Sequence, residues 1–423
     1  MKKATTISIN TQKQLKYYSE NENEEEPLNS EKLISYFGDT RLTGIKAVPY
    51  LLITFSLLTD LVFCLQYEWP VFLRRILTIK ELSFAVFALG GFFVQYDYYA
   101  VEKKYIFKYL KTVDQHATSV AKRKIIKDAN DFLKFHSMFA VRSYAFMFTF
   151  AACIPMLQVI LVVFKSLLKH EPMQRLPFVI FLYVPENFRS PLLYLFTQLV
   201  AFTWYGLAMS IWGIGYKIFL IAMKCVCAEM KLLSQSLMEL DTALMTNRVE
   251  EHLDAVGEEY MITGVEDNAR LKRYLHKIIR HHQDIIKSMK FLNNEFKLTI
   301  LLFINLYSLQ LCLYIIFILK MPILVHRMKY LFVYVVVLFI QLQWATFGQD
   351  LIDNGDRLRL ALYESSWINK PLWMKKSLLI MMARAEQPLE FKPYGLYVLD
   401  KQYMANLFKA TYTYVNLVYE FLN

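Results

Sequence analysis

Residues 190–224 read SPLLYLFTQLVAFTWYGLAMSIWGIGYKIFLIAMK, an apolar run opened by Ser190 and Pro191, interrupted by Lys217 and closed by Lys224. A helix crossing the hydrocarbon core of a bilayer needs about 20 such residues, so this run is long enough to span a membrane and continue beyond it. Working outward in windows of that length, comparable runs fall near 44 to 66, 77 to 99, 138 to 164, 295 to 319, 328 to 349 and 397 to 421. The sequence therefore predicts an all-α integral membrane protein with seven transmembrane helices. The second and last runs are the least uniform. One ends in Gln95, Tyr96 and Asp97, and the other carries Lys401, Lys409, Asn416 and Glu420.

Composition agrees. Of 423 residues, 56% are hydrophobic, 16% aromatic and only 20% charged, with a mean hydropathy of +0.27. The charge is segregated into the stretches between apolar runs, whereas a soluble core would mix the two more finely. No internal repeat is visible, and 12 Gly and 12 Pro exclude a collagenous or low-complexity chain. The first forty or so residues are polar, with Glu20, Glu22, Glu24, Glu25 and Glu26 clustered, so the first span is expected to direct insertion without a cleaved signal peptide.

Orientation follows from lysine and arginine. The N-terminal tail and the loops 100 to 137, 225 to 294 and 350 to 396 hold about 32 of them against about 10 in the other loops, and positive flanks stay inside. This predicts a cytoplasmic N-terminus and, after seven spans, an extracellular C-terminus. The long loops are all on the cytoplasmic side, where helical extensions of the spans are expected. Lys122, Arg123, Lys124 and Lys127 in the first of them suit either anionic lipid heads or a solvated, topology-setting face.

Catalytic and metal chemistry have little support. No phosphate-cradling G-x-x-x-x-G-K, no H-E-x-x-H and no G-x-S-x-G is present, so neither an enzyme nor a cofactor is expected. Cys64, Cys153 and Cys312 lie in apolar runs, and Cys225 and Cys227 at a cytoplasmic helix end, which is neither a disulfide framework nor zinc spacing. His281 and His282 lack further ligands at metal spacing. The net charge of +11 is accounted for by cytoplasmic loops and does not call for nucleic acid.

In the final run Asn406, Lys409, Thr413, Asn416 and Glu420 recur at steps of three and four, which is one helical face. Against lipid such a stripe is expensive, so it faces protein or water. A water-filled pore and packing against other spans fit the stripe equally well. Tyr414, Leu417 and Phe421 run beside it. One helix cannot enclose a channel, so a pore requires several copies around an axis, with Glu420 concentrating cations at the outer mouth.

The C-terminal third resembles the insect odorant receptor family through Phe347-Gly348-Gln349-Asp350-Leu351-Ile352, followed by Ala361, Tyr363 and Trp367 and continuing through Arg384 and Pro388. Upstream, Leu176-Pro177-Phe178, Pro185, Ser190 and Pro191 resemble the family's second extracellular loop and the entry to its fourth span. The gustatory relatives are approached by Thr413-Tyr414 to Glu420-Phe421, but Glu420 stands where they carry Gln and Asn416 interrupts their apolar run. The cytoplasmic loop before the fifth span is too short for the family's coreceptor.

The resemblance implies an odorant-binding tuning subunit of a ligand-gated, non-selective cation channel. It would form a heterotetramer with the coreceptor, multi-pass in the plasma membrane of olfactory sensory neurons, touching membrane lipid but no nucleic acid. Residues 1–43 would be the cytoplasmic tail and 44–349 the first six spans with the odorant pocket. Residues 350–396 would form the cytoplasmic anchor between subunits and 397–423 the pore-lining part of a last helix split from its cytoplasmic part. Matching the Thr-Tyr pair at Thr413-Tyr414 puts the hydrophobic gate at Leu417, with Phe421 one turn further out and Glu420 at the polar position between them, and the polar stripe adds Thr413 and Asn416 to the pore. In the anchor segment Leu351, Leu358 and Leu362 suit contacts between subunits and packing within one subunit equally. By depth, a pocket for a small apolar volatile in the outer half of the bundle would draw on Val86, Phe87, Met156, Leu157, Phe196, Val200, Tyr334 and Leu338. A G-protein-coupled receptor is the rival class, and its outside N-terminus conflicts with the charge count. A transporter would show broken helices and paired half-repeats.

Overall fold

The computed structural model describes residues 47–67, 72–106, 108–109, 113, 118–169, 179–180, 190–254, 263–321, 324–365, 367–368 and 370–421, all within one compact unit, 41–423. The tail 1–43 and the segment containing Leu176, Pro177, Phe178 and Pro185 lie outside the described residues, as do the side chains of Cys64 and Phe421. Every regular element among the described residues is helical. The helices are α1 (Ala47–Tyr67), α2 (Phe72–Val101), α3 (Val120–Phe148), α4 (Ile154–Lys169), α5 (Pro191–Asp254), α6 (Thr263–Lys320), α7 (Leu324–Glu364), α8 (Leu372–Ala385) and α9 (Lys401–Phe421). A π-helical turn, Thr149–Cys153, joins α3 to α4 into one continuous rod.

Each predicted apolar run falls on helix, the run 138 to 164 on the continuous α3–α4 rod, and four of the helices overshoot their run by more than ten residues. At about 1.5 Å per residue, the 64 residues of α5 extend roughly 96 Å, about three times the hydrocarbon thickness. Together with α3, α6 and α7 it builds the helical extensions that the long charged loops predicted. Five stretches, Arg75–Ile106, Arg142–Leu168, Pro191–Leu240, Ala269–Lys320 and His326–Glu364, are long and apolar enough to cross a membrane, while Ala47–Val62 is apolar over a shorter length. Polar residues spaced along α9 keep it off that set.

The centre of the bundle is α5, which packs against α2, α3, α4, α6 and α7. Aromatic rings fill this junction. Phe219 of α5 stacks on Trp344 of α7 with centroids 4.0 Å apart, and Phe303 of α6 leans on Trp344 at 4.6 Å. One turn pair further along, Trp212 stacks on Phe87 of α2 at 3.9 Å and 7° from parallel. Its indole N–H also donates to the Phe87 carbonyl at 3.0 Å. A buried tryptophan needs a partner for that donor, and Gly91 leaves the room, since a Cβ there would meet the indole. Hydrogen bonds tie α1 to the same core: Trp204 donates to Thr54 at 2.8 Å, and Tyr50 to the Ala88 carbonyl at 2.9 Å.

The start of α3 is fixed by charge. Ser119 caps the helix, accepting from the Lys122 amide at 3.3 Å, and its hydroxyl donates to Glu239 of α5 at 2.6 Å. Lys122 pairs with the same carboxylate at 2.9 Å. Burial alone would raise the Glu239 pKa, but hydrogen bonds from Ser119, Lys122 and Gln235 bring it below the usual carboxylate value. Lys122 is therefore turned inward onto α5, and only Arg123, Lys124 and Lys127 of that basic run are exposed.

Candidate functional site

Helix α9 begins at Asp400, whose carboxylate accepts from the Tyr403 amide at 2.6 Å, a charge-assisted N-cap. The helix packs on α6 and α7 along a seam of Met404, Thr411 and Val415, all buried. At about 100° per residue, that seam lies roughly 160° around the axis from the middle of the Asn406, Lys409, Thr413, Asn416 and Glu420 stripe. All five stripe residues are exposed, so the polar face is not spent on packing within the protomer. Thr413 returns its hydroxyl to the Lys409 carbonyl at 3.0 Å, which satisfies it locally. Leu417 is 51% exposed beside the stripe. Phe421 is helical in its backbone, and its side chain lies outside the described residues.

The segment 347–352 forms a joint between helices. Phe347 and Leu351 are buried, and Asp350 accepts an ion pair from Lys224 of α5 at 2.7 Å. The same ammonium lies 4.2 Å from the Phe132 ring of α3 and 5.2 Å from Phe347. His136 stacks on Phe132 at 3.6 Å. Three helices thus meet around one lysine near the end of the spans from which the extensions project.

At the opposite end of the spans, charged and polar side chains are buried where apolar ones would be expected. Lys80 and Glu81 of α2 pair at 2.6 Å, and Lys329 of α7 is buried near them. Lys80 and Lys329 lie 5.6 and 5.5 Å from the centre of the Tyr330 ring. Tyr330 itself stacks on Phe317 at 4.7 Å and on Tyr314 at 6.0 Å, both from α6. Depth along the runs did not single these residues out. Their signal in the sequence is the presence of ionisable groups within apolar runs, which membrane interiors retain for a reason.

The eight pocket residues expected by depth do not converge. Phe87 is fully buried in the aromatic core against Trp212, Phe303 and Tyr307, and Met156 is buried on α4. Val200, Tyr334 and Leu338 are partly buried. Val86, Leu157 and Phe196 point out of the protomer, at 43%, 57% and 63% exposure. Leu351, Leu358 and Leu362, expected as contacts between subunits, are wholly buried inside one chain, so they offer no surface to a neighbour. Among the exposed apolar side chains of that region, Leu360, Tyr363 and Leu379 line an open groove of about 730 Å³ between α7 and α8 together with Arg357, Arg359 and Glu386.

Among the described residues, no three His, Cys, Asp or Glu side chains converge as metal ligands. His282 is buried against Arg384, and burial first, then that positive neighbour, lowers its pKa to about 4.

The family model described as 7tm Odorant receptor matches residues 79–412. Odorant receptor 49a of Drosophila melanogaster is 30% identical over 147 residues, a match covering 34% of this chain and 37% of that receptor's length. The solved structure of the insect olfactory receptor OR5 from Machilis hrabei superposes with a TM-score of 0.66, covering 93% of this chain and 92% of that one at 11% identity. The same receptor in complex with eugenol gives 0.62 over 89% of each chain at 13% identity. With the family model spanning residues 79–412 and the helical architecture shared nearly end to end, the chain belongs to the insect odorant receptor family.

Proposed function

We propose that this chain is the odorant-binding tuning subunit of a ligand-gated, non-selective cation channel that assembles with the odorant receptor coreceptor as a heterotetramer. It would act in the plasma membrane of olfactory sensory neurons, with seven spans, a cytoplasmic N-terminus and no enzymatic activity. The observation that carries this reading is the exposed polar face of α9, turned directly away from the seam that holds the helix to its own bundle. Lipid is a poor environment for Lys409, Asn416 and Glu420. Water shared among several copies of such a helix is a good one. Leu417 then serves as a hydrophobic constriction closing by dewetting, and Glu420 as the cation-concentrating group at the mouth.

A neighbouring subunit would dock through Leu360, Tyr363 and Leu379 in the groove between α7 and α8, in place of the buried leucines. The likeness to a receptor solved with eugenol supports a small volatile as ligand. Phe87, Met156, Val200, Tyr334 and Leu338 are the pocket candidates that face inward or partly so. Ligand binding favours the open arrangement by differential affinity, as any such switch must.

The test is whole-cell recording from cells expressing this chain with and without an insect coreceptor, under internal block of G-protein signalling. Odorant-evoked cation current requiring both chains and surviving the block is expected. Current abolished by the block would mean a metabotropic receptor instead.

A further inference from the structure

Where α3 enters the membrane-length stretch Arg142–Leu168, its outward face changes character within two turns. Lys134, Met138 and Arg142 recur at steps of four, Phe135 and Phe139 lie beside them at the same spacing, and all five are exposed. Phe135 and Phe139 stack with centroids 6.3 Å apart and planes 15° from parallel. Among the described residues, Arg142 forms no ion pair or hydrogen bond. It stands at the edge of an apolar run, where ionisable side chains are rare and mark function.

The same face is one wall of a crease. Three aromatic contacts join α3 to α7 at intervals of seven or eight residues: Phe132 with Phe347 at 5.9 Å, Phe139 with Phe339 at 5.4 Å and Phe146 with Phe332 at 6.3 Å. The seam runs about 21 Å along α3. Its first end is closed, with Phe347 2% exposed, but Phe139, Phe339 and Phe146 keep 37%, 36% and 45% of their surface. The rings therefore meet and still leave their outer edges to a neighbour. Arg142 falls three residues after Phe139 and four before Phe146, which puts it on the crease. Helical side chains lean toward the N-terminus of their helix, so the guanidinium turns away from the apolar run and toward Lys134.

What fits this surface carries an anion just outside the apolar run and a long apolar chain inside it. A phospholipid has that order. A guanidinium matches a phosphate through two parallel N–H bonds. A second cation, Lys134, lies about 12 Å further out, while the nearest carboxylate on α3, Asp131, is about 16 Å from Arg142 along the axis. That balance favours a headgroup with net negative charge. We propose that the crease between α3 and α7 holds one anionic phospholipid, its phosphate on Arg142 and one acyl chain along Phe139, Phe339 and Phe146. The lipid belongs to the leaflet at which α3 begins, the cytoplasmic one in the orientation proposed above, and it binds whether or not the chain conducts.

The experiment measures lipid retention apart from current. Full-length protein in neutral detergent is incubated with equal amounts of phosphatidylserine and phosphatidylcholine of the same acyl chains, and the lipid kept per chain is counted by native mass spectrometry. The native chain should keep one phosphatidylserine with about fivefold preference, the effect of one basic residue at an anionic lipid. Arg142→Gln should abolish the preference, and Arg142→Lys, which keeps the charge without the fork, should keep part of it. Phe339→Ala should weaken retention of both lipids alike, and monodisperse elution of each variant excludes misfolding. Water-soluble glycerophosphoserine should leave the bound lipid in place, and displacement by it would mean a site for free phosphate compounds instead. No preference in the native chain, or one untouched by Arg142→Gln, would overturn the proposal. A dimer mass lost in Arg142→Gln would assign the face to a second protein chain. Phosphatidylserine retention without odorant-evoked current in cells that also express the coreceptor would uphold the crease and sink the channel, whereas current without lipid preference would do the reverse.

Discussion

Gly348 of α7 lies directly beneath the Leu399 carbonyl, so that a Cβ at position 348 would overlap the Leu399 oxygen and carbon. The obstacle is backbone, which cannot swing aside as a flexible side chain can. Leu399 in turn donates its amide to the Phe391 carbonyl at 3.0 Å, closing the turn that delivers the chain to α9. The glycine in Phe347-Gly348-Gln349-Asp350 thus sets how closely the entry to α9 approaches α7.

Gly348→Ala should displace that turn and cut surface expression several-fold, measured by biotinylation in intact cells. Gly355→Ala is the control. A Cβ there meets only Leu389 at an ordinary 3.8 Å, and alanine favours helix by up to about 1 kcal/mol. Equal expression of both variants would remove the steric role of Gly348.

Lys224 and Asp350 join α5 to α7 at 2.7 Å with their side chains 19% and 34% exposed. A pair so placed is partly screened, and its coupling should be on the order of 1 kcal/mol. A double-mutant cycle with Lys224→Met and Asp350→Asn, read as melting temperature in detergent, should show the double variant less damaged than the sum of the singles. Lys224→Met should cost more than Asp350→Asn, because it also removes the contacts with Phe132 and Phe347. Strict additivity would show that the pair carries no coupling.

The placement of the apolar helices was legible because each coincides with a run of mostly apolar residues. Facing was not, and adjacent positions show why. Val86 is exposed and Phe87 fully buried, yet both are apolar, since lipid on one side and core on the other ask for the same chemistry. Periodicity discriminates only where one side is polar, which is why the face of α9 could be read and the pocket could not. Leu351, Leu358 and Leu362 mark a buried stripe by their spacing, but spacing does not tell whether the covering surface comes from the same chain or another. Lys80, Glu81 and Lys329 stand within apolar runs, a signal that reading by depth alone passed over.

Glu229 of α5 is mostly buried in the helical extension near Lys108 and Asp284, with Tyr105 and Cys225 also close. Burial raises its pKa from 4.5 to about 7, with Lys108 opposing and Asp284 adding to the shift. The folded state therefore holds this proton at pH values where the unfolded chain has lost it. Stability from this group should fall as pH rises from about 4.5 to about 7 and then level off. Glu229→Gln, neutral throughout, should melt higher than the native protein at pH 8 and lose that advantage by pH 5. A difference that stays constant across thermal melts at pH 5, 6, 7 and 8 would rule out titration of Glu229 as its source.

Leu417 and Asn416 are neighbours in sequence, and both are exposed on α9, on either flank of the polar stripe. At about 100° per residue, the stripe's middle lies between them, so a pore on that axis receives one apolar and one polar side chain from each copy. If Leu417 closes the path by excluding water, Leu417→Ala should raise current in the absence of odorant, whereas Asn416→Ala should alter conductance without opening the closed channel. Glu420→Gln, about one turn further toward the C-terminus, should lower the permeability of divalent relative to monovalent cations by removing charge at the mouth. Reversal potentials under ion substitution and basal current at matched surface expression read these effects separately. Unchanged basal current in Leu417→Ala together with unchanged selectivity in Glu420→Gln would mean that the exposed face of α9 meets a neighbouring protein surface rather than a conduction path.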